Sequence, residues 1–126
     1  LLVERKKDPY KGRWAVPGGF IEMDEELEDA IVRELEEETG LTGVALEQLR
    51  AFGTVGRDPR GRQITVVFTG IVEGPVRLRA GDDAAKARWF DIDRLPANLA
   101  FDHDRIARVA IRRLKRTKAY GGKRRA

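Results

Sequence analysis

The chain contains no cysteine and only one histidine, His103. The first absence excludes disulfides, thiolate nucleophiles and cysteine-based zinc sites. The second excludes a multi-histidine metal centre. Any resident metal therefore has to be a hard cation held by oxygen, which points to Mg2+ or Mn2+. No run of about 18 apolar residues occurs, so no transmembrane helix and no membrane partner are expected. The opening residues lack the charged-then-apolar pattern of a secretory leader, and the cytoplasm is the expected compartment.

What is abundant is charge. Of the 126 residues 37% are charged and 41% hydrophobic, which suits one compact domain with a real core. The net charge of +4 hides an asymmetry: residues 22–38 hold ten acids and one Arg, whereas residues 105–125 hold ten Lys/Arg and no acid. A basic body with one intensely acidic stretch would attract a polyanion and hold a cation; two solvated charge runs would give the same composition.

Leu1-Leu2-Val3-Glu4 reads as a strand whose earlier residues are absent from the fragment. Residues 7–12 form a turn, and Trp14-Ala15-Val16 a short strand ended by Pro17-Gly18-Gly19. A helix is expected from an N-cap at Asp24 to Thr39, with Gly40 as its stop. Strands are expected at 44–52 and 63–72, a short one at 76–78 and another at 87–92, with loops at 56–61 and 80–83. A last amphipathic helix spans about 104–116, with Ile106, Val109, Ala110 and Leu114 on one face. Residues 1–117 then make one α/β domain with a mixed sheet, followed by a basic, disordered tail at 118–126.

The acidic helix carries the most information. At about 100° per residue, with Leu27 at zero, Ile31 falls near about 40°, Leu35 near about 80° and Ala30 near about 300°. Glu34 at about 340° and Glu38 at about 20° lie inside that apolar stripe, and Glu37 at about 280° lies at its edge. Glu25, Asp29 and Glu36 fall on the opposite side. An acid on a buried face is costly unless paired or ligated. Glu34 and Glu38 are also one turn apart, where like charges repel by about 0.2–0.5 kcal/mol. Arg33 offsets part of this, but one guanidinium cannot neutralise three carboxylates. Either a divalent cation sits among them or the helix is rotated to leave them at a wet rim. The Pro17-Gly18-Gly19 turn lets backbone approach closely, and the Gly18 carbonyl is a candidate ligand.

Gly19, then Glu25, then Arg33-Glu34-Leu35-Glu36-Glu37-Glu38-Thr39-Gly40-Leu41 resembles the Nudix box, G-x5-E-x7-R-E-U-x-E-E-x-G-U, where U is bulky and aliphatic. All nine specified positions over 23 residues match. The resemblance implies an α/β/α sandwich with a mixed β-sheet. It also implies Mg2+ or Mn2+ at Glu34, Glu37, Glu38 and the Gly18 carbonyl, with Arg33 and Glu25 supporting the loop–helix geometry. The implied chemistry is attack of water on phosphorus in a nucleoside diphosphate linked to another group. Segments 57–62, 80–84, 89–90, 95–96 and 99–103 resemble the ADP-ribose pyrophosphatase-like branch, whose products are AMP and ribose 5-phosphate. Members of that branch often carry a proline fifteen residues beyond the final glycine of the box; Val55 holds that place here, which leaves the exact substrate open.

Outside the box, Asp82 and Asp83 suit a further metal ligand or catalytic acid, or simply a solvated turn. Glu22 is a comparable candidate beside the glycine turn. Arg57, Arg60 and Arg62 could grip phosphate or ribose, or stand as ordinary loop arginines. Phe101, Trp89 and Phe90 could stack on adenine, or belong to the core. His103 reads as a structural hydrogen-bonding residue or, more sharply, a general base. The basic tail reads as solvated rather than as a nucleic-acid arm. The leading expectation is hydrolysis of ADP-ribose or a similar nucleoside diphosphate sugar. A pyrophosphohydrolase of modified nucleoside triphosphates shares the same box, and a non-catalytic ligand-sensing domain is the alternative of another class. Related pyrophosphatases are frequently dimers, so a homodimer is one expectation for the assembly.

Overall fold

The computed structural model describes residues 1–74 and 76–117; the tail expected at 118–126 lies outside the described residues. Seven elements follow one another: β1 (Leu2–Arg5), β2 (Trp14–Ala15), α1 (Leu27–Thr39), β3 (Glu47–Phe52), β4 (Thr65–Thr69), β5 (Ala84–Arg88) and α2 (His103–Lys115). β1 is the centre of a three-stranded sheet between β2 and β5, and β3 and β4 form a second, two-stranded one. All the described ladders are antiparallel, so the parallel pairing that a mixed sheet requires is not among them. No helix among the described residues is long and apolar enough to cross a membrane.

The ends of the elements differ from the sequence expectation for identifiable reasons. α1 starts at Leu27, not after Asp24, because residues 22–25 close a turn of their own. Glu25 N–H donates to the Glu22 carbonyl at 3.2 Å, and Glu22 N–H to the Glu25 carboxylate at 3.0 Å. Its stop is as expected: Gly40 takes φ +78° and returns its N–H to the Glu36 carbonyl. β3 and β4 are shorter than expected, ending at the Glu47–Thr69 pair. Just beyond it, a Cβ on Gly70 would stand 2.7 Å from the Ala45 carbonyl, so the two segments touch backbone to backbone there. β5 begins three residues early, in the weakly strand-forming Ala84-Ala85-Lys86. Pairing with β1 decides that segment, not propensity. The strand expected at 76–78 does not form; Arg79 N–H instead caps the end of α1 through the Thr39 carbonyl at 2.8 Å.

The core gathers Phe52, Val67 and Ile106, with Val16, Leu49 and Val109 packed around them. The apolar stripe of α2 therefore covers the β3–β4 sheet, while α1 packs against β5. A polar seam joins the two halves. Ala100 N–H donates to the Trp14 carbonyl at 2.9 Å, and Val16 N–H donates to His103 Nδ1 at 2.9 Å. Arg57 is buried and spends all three guanidinium nitrogens on the fold: two on the Asp102 carboxylate and one on the Thr65 hydroxyl.

His103 is thus a structural acceptor. Burial holds its pKa down at about 4, and the Val16 N–H favours the same neutral ring. The unfolded ring titrates near about 6.5, so its contribution is complete above that pH and is lost as pH falls toward 4. His103→Ala should cost about 1–3 kcal/mol by leaving the Val16 N–H unpaired. His103→Asn keeps an acceptor and should cost less. In urea unfolding, the gap between wild type and His103→Asn should shrink as pH drops through that window. A gap that does not change with pH would refute the buried, neutral imidazole.

Candidate active site

On α1 the helix-face reading resolves in favour of burial: Glu34 is 8% and Glu38 5% exposed, whereas Glu37 faces solvent. The wet-rim alternative therefore fails for the two central acids. Arg33 is the organising cation. Its Nε and Nη2 grip Glu25 at 2.6 and 2.9 Å, and Nη1 reaches Glu34 at 2.8 Å and Glu37 at 3.2 Å. Nη2 also touches the Phe20 carbonyl at 3.4 Å, which ties the glycine turn to the helix. The Glu25 pair holds that carboxyl down at about 2 and raises Arg33 further, so both stay ionised.

The glycines explain how the acids fit. A Cβ on Gly19 would lie 2.6 Å from Glu34 Oε2, so the carboxylate rests directly against the turn. A Cβ on Gly81 would lie 2.6 Å from the Glu37 carbonyl, so the loop carrying Asp82 docks on the last turn of α1. Glu34, Glu37 and Asp82 consequently bring three carboxylate oxygens within 4.8 Å of one another. Oxygens bound to one Mg2+ at about 2.0–2.1 Å stand no more than about 4 Å apart, so the three carboxylates would draw in around a shared ion. An all-oxygen, net-negative donor set of this kind fits a hard divalent cation.

Glu38 stands beside that group. Its Oε1 accepts the Gly18 N–H at 3.0 Å, which ties the glycine turn to Glu38. One hydrogen bond to a charged group contributes about 1.5–3 kcal/mol. Burying the carboxylate costs several kcal/mol, so desolvation wins. Burial, with the nearby charges of Glu34, Asp83 and Asp82, pushes Glu38 up to about 7. Burial also raises Glu34, against the pull of Arg33.

The other expected residues are distributed unevenly. Of the two loop acids, Asp82 joins the oxygen group, while Asp83 is exposed and pairs with Lys7 at 3.4 Å. Glu22 is exposed and contributes its backbone to the turn before α1. Arg57 is locked in the fold, and Arg62 donates to the Gly53 carbonyl at 2.6 Å. Arg60 is held by the buried Asp58 at 2.7 Å and lies over two rings, Phe20 at 5.1 Å and Phe101 at 5.2 Å. Phe90 is half-buried and packs edge-on against Trp14 at 4.9 Å. The sequence reading passed over Arg5, whose guanidinium also lies over Phe101, at 4.9 Å. Nothing about an arginine at the end of a short strand distinguishes it before the strands are paired.

A family model described as the NUDIX domain matches residues 1–113. A curated relative named ADP-ribose pyrophosphatase, from Methanocaldococcus jannaschii, is 47% identical over 112 residues, which is 89% of this chain and 65% of that protein. The ADPR responsive transcriptional repressor NtrR of Acinetobacter baylyi is 33% identical over 123 residues, 95% of this chain and 49% of that protein. A solved structure of a bifunctional NMN adenylyltransferase/ADP ribose pyrophosphatase from Francisella tularensis, complexed with AMP and a Mn ion, superposes with a TM-score of 0.74 at 32% identity. That match covers 89% of this chain and 37% of the other. The chain thus spans between about half and two thirds of the length of these curated relatives.

Two outcomes follow from the packing. Gly19→Ala should fold with nearly unchanged stability, because its backbone needs no positive φ, yet displace the Glu34 carboxylate and weaken Mg2+ or Mn2+ binding by about tenfold or more. In thermal denaturation, Mg2+ should raise the wild-type midpoint more at pH 8 than at pH 5.5, and Glu38→Gln should flatten that pH dependence. Equal Mg2+ shifts at both pH values in wild type would contradict the assignment of the proton to Glu38.

Proposed function

The chain belongs to the Nudix family, and from that membership and the acid group on α1 we propose that it is a divalent-cation-dependent phosphoanhydride hydrolase. Its proposed substrates are nucleoside diphosphates linked to a further group. ADP-ribose is the leading substrate, giving AMP and ribose 5-phosphate. The observation that carries the proposal is the convergence of Glu34, Glu37 and Asp82 oxygens beside the buried Glu38. A relative at 47% identity that bears the name ADP-ribose pyrophosphatase supports the choice of substrate.

In this reading Glu34, Glu37 and Asp82 hold Mg2+ or Mn2+. When bound, the cation polarises the phosphoanhydride and lowers the pKa of the attacking water. The chain's own residues do the rest. Arg33 fixes the Glu34 and Glu37 carboxylates in register, and Glu25 fixes Arg33. The Gly18–Gly19 turn supplies the N–H that orients Glu38 and leaves room for Glu34. Glu38 would add a further carboxylate beside the cation, and its pKa near 7 suits proton exchange close to neutral pH. Residues 1–117 form the catalytic unit, and a cysteine-free nucleotide hydrolase fits the cytoplasm. A homodimer is its proposed assembly.

A second reading is favoured by the relative named a transcriptional repressor, which matches 95% of this chain. Under it the domain binds ADP-ribose without cleaving it.

Product analysis separates these readings. The chain would be incubated with ADP-ribose, ADP-glucose, NADH, dGTP and oxidised dGTP in Mg2+. AMP plus ribose 5-phosphate should appear from ADP-ribose, vanish with EDTA, and fall by at least about 100-fold in Glu34→Gln. Tight ADP-ribose binding without any product would establish the sensing reading. Cleavage of dGTP or its oxidised form alone would move the substrate to the triphosphates.

A further inference from the structure

α2 carries a second concentration of charge, on the side that the core does not use. With Arg112 at zero on the helix, Arg105 falls at about 20°, Arg108 at about 320° and Arg116, the C-cap, at about 40°. All four are exposed, whereas Ile106 of the same helix is buried. The four guanidiniums form one ridge that runs about 16 Å along the helix. Arg113 and Lys115 flank it, and no acid occurs between residues 105 and 116.

The ridge continues onto the neighbouring sheet. Arg105 stands 5.7 Å and Arg50 of β3 stands 4.5 Å from the centroid of the same Phe52 ring. Arg105 is held there by the Thr54 hydroxyl, to which its Nη1 donates at 2.8 Å. Little of this charge is neutralised. Arg108 meets Asp104 at 3.4 Å and Arg113 meets Glu47 at 3.8 Å, and exposed pairs of that kind hold weakly. Arg50, Arg105, Arg112, Lys115 and Arg116 have no ion pair among the described residues. Nor does the helix need the ridge for its own stability. Cations in the last turn suit the helix dipole, which accounts for Arg112, Arg113 and Lys115. Arg105 stands near the other end, where the same dipole disfavours it. Arg108, Arg112 and Arg116 follow one another at one-turn spacing and repel.

We propose that this ridge, extended by Arg50, binds the phosphate backbone of a nucleic acid, independently of the acid group on α1. Six of its seven cations are arginines, whose planar forks match pairs of phosphate oxygens. The rest of the charge is divided to match: acids gather on α1 and the turn before it, so a polyanion is repelled there and drawn to α2. The apolar residues Ile106 and Val109 are committed to the core, which leaves α2 nothing to insert into a bilayer. Residues 104–116 include no aromatic side chain other than none, so bases have no platform to stack on. The contact is therefore with phosphates, indifferent to base sequence and steeply weakened by salt.

The test is fluorescence anisotropy of the full chain with a labelled DNA duplex of about 20 base pairs, over about 50–200 mM KCl. An RNA strand of the same sequence and anionic phosphatidylserine vesicles are the other two probes. Wild type should bind nucleic acid at low salt and lose about 100-fold in duplex affinity over that range. The triple variant Arg108→Gln, Arg112→Gln, Arg116→Gln should lower the slope of log affinity against log salt by about 2–3, with its thermal shift in Mg2+ unchanged. Arg112→Gln alone, which covers a triple variant that does not fold, should lower the slope by about 0.9. Replacing Lys118, Lys123, Arg124 and Arg125 by Gln should leave most of the slope in place. Binding to the duplex or to the RNA upholds the ridge and identifies which backbone it takes. Absence of binding to either at about 50 mM KCl, a slope unchanged in the ridge variants, or binding lost entirely with the four residues beyond α2 overturns it. Vesicles bound more tightly than either nucleic acid would overturn it in favour of a membrane surface.

Discussion

Two carboxylates on the core-facing side of α1 are unfavourable unless something positive meets them, and much of the surrounding chain is arranged around that fact. Arg33 answers Glu34 and Glu37 from within the helix, and Glu25 keeps Arg33 in place from the turn before it. Gly19 has no side chain because Glu34 occupies the space one would need, and Gly18 turns its N–H toward Glu38. Gly81 has none because the loop bearing Asp82 presses on the carbonyl of Glu37. These contacts do not remove the imbalance: Glu38 still sits near pKa 7, a group poised between its two forms. A divalent cation would complete the set, which is why a helix that looks badly designed as a structural element makes sense as half of a site.

The remainder of the fold is fastened by its own set of polar and apolar contacts. α2 covers the β3–β4 sheet through Ile106 and Val109, and its first turn reaches across to β2 through His103 and Val16. The same stretch presents Phe101, and Arg57 ties it to β4 by bridging Asp102 and the Thr65 hydroxyl. Arginines that look equivalent in the sequence therefore divide the labour. Arg57 is a strut, Arg62 fastens a loop, and Arg60 pairs with Asp58 and stands over aromatic rings. What separates them is the partner each meets: Asp102 and Thr65 for Arg57, a backbone carbonyl for Arg62, and Asp58 with two rings for Arg60.

The site helix was legible in the sequence because helical periodicity is a local property: placing Leu27, Ile31 and Leu35 on one face also placed Glu34 and Glu38 there, and both are buried. Asp82 was half legible, since a loop acid is recognisable but its reach to Glu34 depends on Gly81 docking on α1. Arg5 was not legible at all, because its neighbourhood exists only once β1 pairs with β5 and the segment before α2 folds back on β2. The strand errors have the same origin. Ala84–Arg88 is a strand because β1 lies beside it, and 76–78 is not one because Arg79 is used to close α1. Single-residue propensities carry none of this. The fifteen-residue proline spacing likewise says nothing about how the 53–62 loop is held, by Arg62 on Gly53 and by Arg57 on Asp102 and Thr65 among others.

The central claim is that the buried acids of α1 are half of a cation site, with Glu38 carrying a proton that the cation displaces. It is tested most directly by titrating Mn2+ or Mg2+ into the metal-free chain calorimetrically, in buffers of different ionisation enthalpy. The account predicts net proton release on cation binding at pH 7, falling to almost none at pH 9. In Glu38→Gln the release should fall clearly below that of wild type, and the affinity should fall. Binding that releases no proton at pH 7, or that is as tight in Glu38→Gln as in wild type, would contradict it.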